Sequence, residues 1–172
     1  VQKVLQRLLR ERISMRDMVT ILESLADTAP HTKDLSLLTE AVRQSLGRSI
    51  VHQYQDGRGV LHVMTLDPGL EQILADNIGS GEWGYELSLA PDMAGRVYDS
   101  IARLVPVALA TAAQPILLCT HIVRPYLRQV IETVLPNVVV LSYREVASAS
   151  SVKSVGTVRL NNEHPDILRA VS

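Results

Sequence analysis

The chain has 172 residues, 47% of them hydrophobic, enough for one ordinary domain or two small ones packed together. Its 17 basic and 18 acidic residues leave a formal charge of -1, so no overall field favours nucleic acid or an anionic bilayer. With no Phe, one Trp and five Tyr, the core must be aliphatic and stacking platforms for single strands are lacking.

A single cysteine excludes an intrachain disulfide and a cysteine-built zinc cluster, and the histidines show no ligand spacing, so no metal or cofactor is expected. No apolar run approaches the ~20 residues that cross a bilayer, so the chain is expected to be soluble. It begins with Val inside a helical pattern, as a piece of a longer protein would.

Val1, Val4, Leu5, Leu8 and Leu9 place one apolar stripe on a first helix. Ser14 opens an S-x-x-D box with Asp17, and Met15, Met18, Val19, Leu22, Leu25 and Ala26 predict a second helix over about 15–28. Asp34 can cap a third, which buries Leu35, Leu38, Val42 and Leu46 and fades near Tyr54, interrupted at Gly47 where helices approach closely. Residues 55–59 supply a turn.

Val60 to Leu66 reads as a strand. Asp67 and Pro68 then start a short helix carrying Leu70, Ile73 and Leu74. Residues 79–84 are expected to form a surface loop. A long helix follows from Pro91, burying Val97, Ile101, Leu104 and Val105, with a kink or break at Pro106.

From Pro115 the pattern becomes strand, helix, strand: 115–119 is apolar, Leu127, Val130, Ile131 and Val134 share a helical face, and Val138 to Leu141 is continuous valine and leucine. That is a βαβ unit with parallel strands. Val152 to Leu160 reads as a further strand and 161–172 as a flexible tail. The fold class is α+β with an α/β portion: an N-terminal helical subdomain (1–56), then a small α/β subdomain (57–160) with a mostly parallel sheet.

An enzyme or ligand-binding domain would use the loop after Cys119, because parallel strands present nucleophiles and ligands at their carboxyl ends. The structural reading is stronger. Strand alternation makes Cys119 a small buried hydrophobe, Thr120 a helix cap and His121 a first-turn residue, with no glycine-rich elbow beside them. Asp17, Glu23, Asp27, Asp34 and Glu40 read as caps, solvated faces and interhelical ion pairs. The "REVASASSVKSVG" stretch reads as a polar surface loop. The chain is therefore not expected to be an enzyme.

Three long stretches, Leu5 to Tyr54, Val63 to Leu74 and Ile116 to Val146, together resemble the C-terminal cytosolic part of the FlhA export-gate family, which serves flagellar and virulence type III secretion. The flagellar branch is the nearer, from "THIVRPYL" and "VVVLSYREV". The resemblance implies a cytosolic piece of a bacterial inner-membrane protein, attached to the membrane only through an N-terminal domain that this chain lacks. It implies self-association into a nonameric ring and docking of export chaperone-substrate complexes and of the ATPase stalk protein. It also implies helical and α/β subdomains divided near residue 56. Signature positions on this chain are Arg16 and Asp17, then Thr32, Lys33 and Asp34, then Arg43, Leu46, Gly47 and Arg48. Among them Arg16, Asp17, Arg43 and Arg48 are candidates for a subunit or partner interface. The surface around His121, Arg124 and Arg128 is a further candidate.

Overall fold

The computed structural model describes residues 1–82 and 84–160; the predicted tail lies outside the described residues. Four helices come first: α1 (Gln2–Arg10), α2 (Met18–Thr28), α3 (Leu35–Ser45) and α4 (Gly47–Tyr54). They bury Val4, Leu8, Ile21, Leu25, Val42, Ile50 and Val51. The apolar stripes of α1 and α2 are wider than the faces that pack: Val1, Leu9, Val19 and Leu22 are exposed. On α2 the packed face is set by Ile21 and Leu25, one turn apart.

The caps follow the expected chemistry with one shift. Asp17, rather than Ser14, caps α2, its carboxylate accepting from Thr20 N (3.1 Å) and Thr20 Oγ1 (2.7 Å). The helix therefore starts at Met18, later than expected. Asp34 caps α3 through Ser36 N (2.7 Å) and Leu37 N (3.0 Å). α1 ends in paired bonds from Arg12 N to Leu9 O and from Ile13 N to Leu8 O, both 2.9 Å, with Arg12 at φ 57°. This is a Schellman closure with arginine where glycine is usual.

The rest of the chain runs β1 (Val60–Leu66), α5 (Pro68–Asp76), β2 (Ile78–Gly81), β3 (Gly84–Leu87), α6 (Pro91–Leu109), β4 (Ile116–Cys119), α7 (Arg124–Ile131), β5 (Val139–Ser142), a 3₁₀ turn (Glu145–Ser148) and β6 (Ser151–Val158). Four strands form a parallel sheet in the order β5-β4-β1-β6. This is the α+β architecture with a parallel sheet and a βαβ unit, β4-α7-β5, that the sequence predicts.

Four local expectations change. The predicted loop at 79–84 is an antiparallel hairpin, β2 with β3, closed by Gly81 opposite Gly84. Its glycine-rich arms carry none of the β-branched alternation by which strands are recognised. α6 runs through Pro106 to Leu109 without a break. α7 begins at Arg124, so His121 precedes the helix, and the Thr120 side chain does not cap it. Instead Thr120 N donates to the Glu71 carboxylate at 2.5 Å. Val134 falls beyond the end of α7 and is exposed.

Strand alternation gives the sheet two buried faces. Leu61, Val63, Ile116, Leu118 and Leu141 pack against α1–α4. Met64, Leu66, Leu117, Cys119 and Val140 pack against α5–α7. The helical unit is thus one outer layer of a three-layer sandwich, and burial on both sides explains why β4 is apolar throughout.

Gly47 divides α3 from α4 because of a close approach. A Cβ there would lie 2.6 Å from the Glu145 carbonyl oxygen, which is backbone and cannot step aside. Gly47→Ala is expected to lower stability by about 1–3 kcal/mol through forced separation of α4 from the 3₁₀ turn, read as a lower urea midpoint at unchanged m-value.

Candidate functional site

β5 is an edge strand, and its free edge lies against the helical unit. Val139 N and Tyr143 N bond back to Pro115 O and Cys119 O of the β4 side (2.9 and 3.1 Å), so Val138, Val140 and Ser142 turn their backbone groups outward. Side chains take up three of those groups. Val138 O accepts from Arg128 Nη1 (2.8 Å), Val140 O from Arg43 Nη2 and Arg124 Nη1 (3.4 Å each), and Ser142 N donates to Glu145 Oε2 (2.6 Å).

Arg43 and Arg124 are each 1% exposed. Three glutamates hold them. Glu11 Oε2 accepts from Arg43 Nη1 (3.0 Å) and Arg124 Nη1 (2.7 Å), and Glu40 accepts from Arg124 Nε (2.7 Å) and Nη2. Glu145 Oε1 lies 2.7 Å from Arg43 Nη2, but neither it nor Arg43 Nε makes a hydrogen bond among the described residues. That contact is an ion pair off the hydrogen-bond line.

Each element supplies its charge at a defined point. Glu11 closes α1, Glu40 and Arg43 sit three residues apart on α3, Arg124 is the first residue of α7, and Glu145 opens the 3₁₀ turn. Burial alone would raise the Glu11 carboxyl, but Arg43 and Arg124 outweigh it and hold Glu11 below the ordinary range. At Glu40 burial dominates and Arg124 offsets only part, so its pKa is raised. Burial works against the charge of Arg124, yet Glu11 and Glu40 keep its pKa well above the usual value.

The structure therefore joins two of the sequence candidates, Arg43 and Arg124, and takes them into the interior, with Arg128 half-buried beside them. The others stand apart. Arg16, Asp17 and Arg48 are exposed on the helical unit, Asp17 as the α2 cap. His121 is half-buried at the carboxyl end of β4, where burial and the Arg144 charge lower its pKa.

Glu11 and Glu145 were missed by sequence reasoning, and Glu40 is legible there only as one of several helical acids. Glu145 lies in the stretch read as a polar surface loop, yet it is 1% exposed. The available signal was a glutamate just after a valine-rich strand, next to an apolar Val146.

Cys119 offers no nucleophile. It is fully buried with Sγ facing Leu141 O at 3.9 Å, and burial pushes its thiol pKa well above the ordinary value. Among the described residues no group of three or more His, Cys, Asp or Glu could hold a metal ion, and no helix is long and apolar enough to cross a membrane.

A family model described as the FHIPEP family matches residues 1–151. A flagellar biosynthesis protein FlhA of Bacillus subtilis is 39% identical over 158 residues, which is 92% of this chain and 23% of that relative. The CdsV protein of Chlamydia pneumoniae, solved in complex with CdsO, superimposes with a TM-score of 0.82 at 35% identity, over 92% of this chain and 47% of that one. SctV-C of EPEC, solved as a nonamer, gives a TM-score of 0.80 at 29% identity, over 90% of this chain and 46% of that one. The chain thus spans about a quarter of the curated relative and about half of each solved chain.

Arg124→Met leaves Glu40 without its partner and Glu11 with Arg43 alone, and is expected to cost about 3–5 kcal/mol in urea unfolding, whereas Arg48→Ala stays within about 0.5 kcal/mol. Because the folded pKa of Glu11 lies below its unfolded value, its contribution is present above the unfolded pKa and is lost as pH falls through the folded one. Glu11→Gln should flatten that acid limb of stability against pH. Glu40 has the opposite sign, its ionised form costing stability as pH rises from the unfolded toward the raised folded pKa. Cys119 should resist iodoacetamide in the native chain and react only on unfolding; rapid native labelling would contradict its burial.

Proposed function

Because the chain belongs to the FHIPEP family, we propose that it is the C-terminal cytosolic part of the export-gate component of a flagellar type III protein export apparatus. In that role it helps build a cytosolic ring and offers docking surface to export chaperone-substrate complexes and to the ATPase stalk protein. In this reading the chain works on the cytosolic side of a bacterial inner membrane.

The observation that carries the reading is the family match across 151 residues, which takes in the helical unit and the sheet up to the start of β6. The flagellar assignment rests on the 39% identity to a flagellar relative. The ring rests on the similarity to a protein solved as a nonamer, and a secretion-system partner on the similarity to one solved with CdsO. The enzyme and small ligand-binding readings are not favoured, since the residue on which they depended is sealed in the core.

In this reading residues 1–56 act as the helical subdomain and 57–160 as the α/β subdomain, joined through the sheet. Arg16, Asp17, Arg48, His121 and Arg128 keep solvent access and are the sequence candidates able to reach a neighbouring subunit or partner directly. Arg43 and Arg124 act behind them by fixing how the helical unit sits on the sheet.

The test is Arg16→Glu, Arg48→Glu and His121→Glu in the full-length protein, the first two reversing a charge and the third introducing one, with export of flagellar substrates and ring assembly measured together. At least one substitution is expected to lower export or assembly without lowering the melting temperature of the chain. Unchanged export and assembly for all three would remove these residues from the interface.

A further inference from the structure

Two clefts of about 320 and 170 Å³ adjoin at the C-terminal end of α1 and share Arg10, Glu11 and Arg128 along their common border. Arg7 lines the first and Arg12 the second. The deeper arginines, Arg43 and Arg124, are neutralised by the buried glutamates.

The outer arginines form no ion pair among the described residues. Arg7 spends one N–H on the Ser36 hydroxyl (2.9 Å) and Arg128 one on the Val138 carbonyl (2.8 Å), and neutral acceptors leave the charge in place. Arg10 and Arg12 are exposed, and neither forms an ion pair among the described residues. Four guanidinium groups therefore border this surface, and Glu132 is its only carboxylate outside the buried network. The chain as a whole is slightly acidic, so the local excess of positive charge is not a general property of its surface.

Arg12 adds an independent observation. It occupies the left-handed position that closes α1, at φ 57°, where glycine is the relaxed choice. The backbone bonds that close the helix need no side chain there, so the guanidinium is not required by the closure itself.

We propose that this pair of clefts is a docking groove for an extended, acidic segment of another polypeptide. Charge complementarity selects the acid: a planar guanidinium matches a carboxylate with two parallel hydrogen bonds. The shape selects a chain over a single ion, because the arginines are spread along two joined clefts, and the second is walled by residues 136–140 at the start of β5. The inference stands on these residues alone and does not depend on the family reading, so either can fail without the other.

The test uses fluorescence anisotropy of a labelled peptide of alternating glutamate and glycine, with the glutamine counterpart as control. The glutamate peptide is expected to bind with an affinity that falls steeply as salt rises, and the glutamine peptide not to bind. Arg10→Glu with Arg12→Glu should weaken binding by at least about tenfold, while Arg103→Glu, on α6 across the sheet, should leave it unchanged. Arg12→Gly, which relaxes the backbone but removes the charge, should also weaken binding while keeping or raising the melting temperature. Equal binding by the double variant, equal binding of the glutamine peptide, or tighter binding of a single-stranded oligonucleotide of matched charge would overturn the proposal.

Discussion

The outward edge of β5 has to be closed, and charged side chains close it. A parallel sheet has two edges, and an open edge is a row of unpaired donors and acceptors that invites other strands. Here Val138, Val140 and Ser142 present those groups, and Arg128, Arg43, Arg124 and Glu145 take up three of them. Because the two buried arginines are also held by Glu11 and Glu40 from α1 and α3, the same contacts tie the helical layer to the sheet. The relative placement of the two layers follows from this arrangement as well as from apolar packing on the shared face.

Burying two arginines and three glutamates is an expensive way to gain stability, since desolvation consumes much of the Coulombic return. What such a cluster supplies is geometry. Apolar side chains from α3 and α4 can pack on the sheet in several registers, but a guanidinium that must meet a β5 carbonyl and a Glu11 carboxylate together has few. The opposite pKa shifts of Glu11 and Glu40 show the balance directly: the carboxylate shared by both arginines gains more than burial costs it, and the one that depends on Arg124 does not.

Much of this was legible in the sequence wherever periodicity and capping chemistry speak. The helices, the caps at Asp34 and Asp67, the strand at 60–66, the βαβ unit and the close approach at Gly47 follow from residue type and spacing. The β2–β3 hairpin was hidden because its glycines carry no alternation, and α6 runs on to Leu109 although Pro106 removes one helix hydrogen bond. Cys119 was readable as core from strand alternation alone. The edge network was not readable, because Glu11, Glu40, Arg43, Arg124 and Glu145 are far apart in sequence and each has an ordinary local explanation. Only the strand order brings them to one edge.

The central claim is that the β5 edge is shut by this network, and amide hydrogen exchange reads it residue by residue. Ser142 N–H, whose acceptor is the Glu145 carboxylate, should exchange only through global unfolding, with protection matching the amides of β4. An exchange rate for Ser142 close to that of a solvent-exposed edge amide, with β4 still protected, would contradict the account.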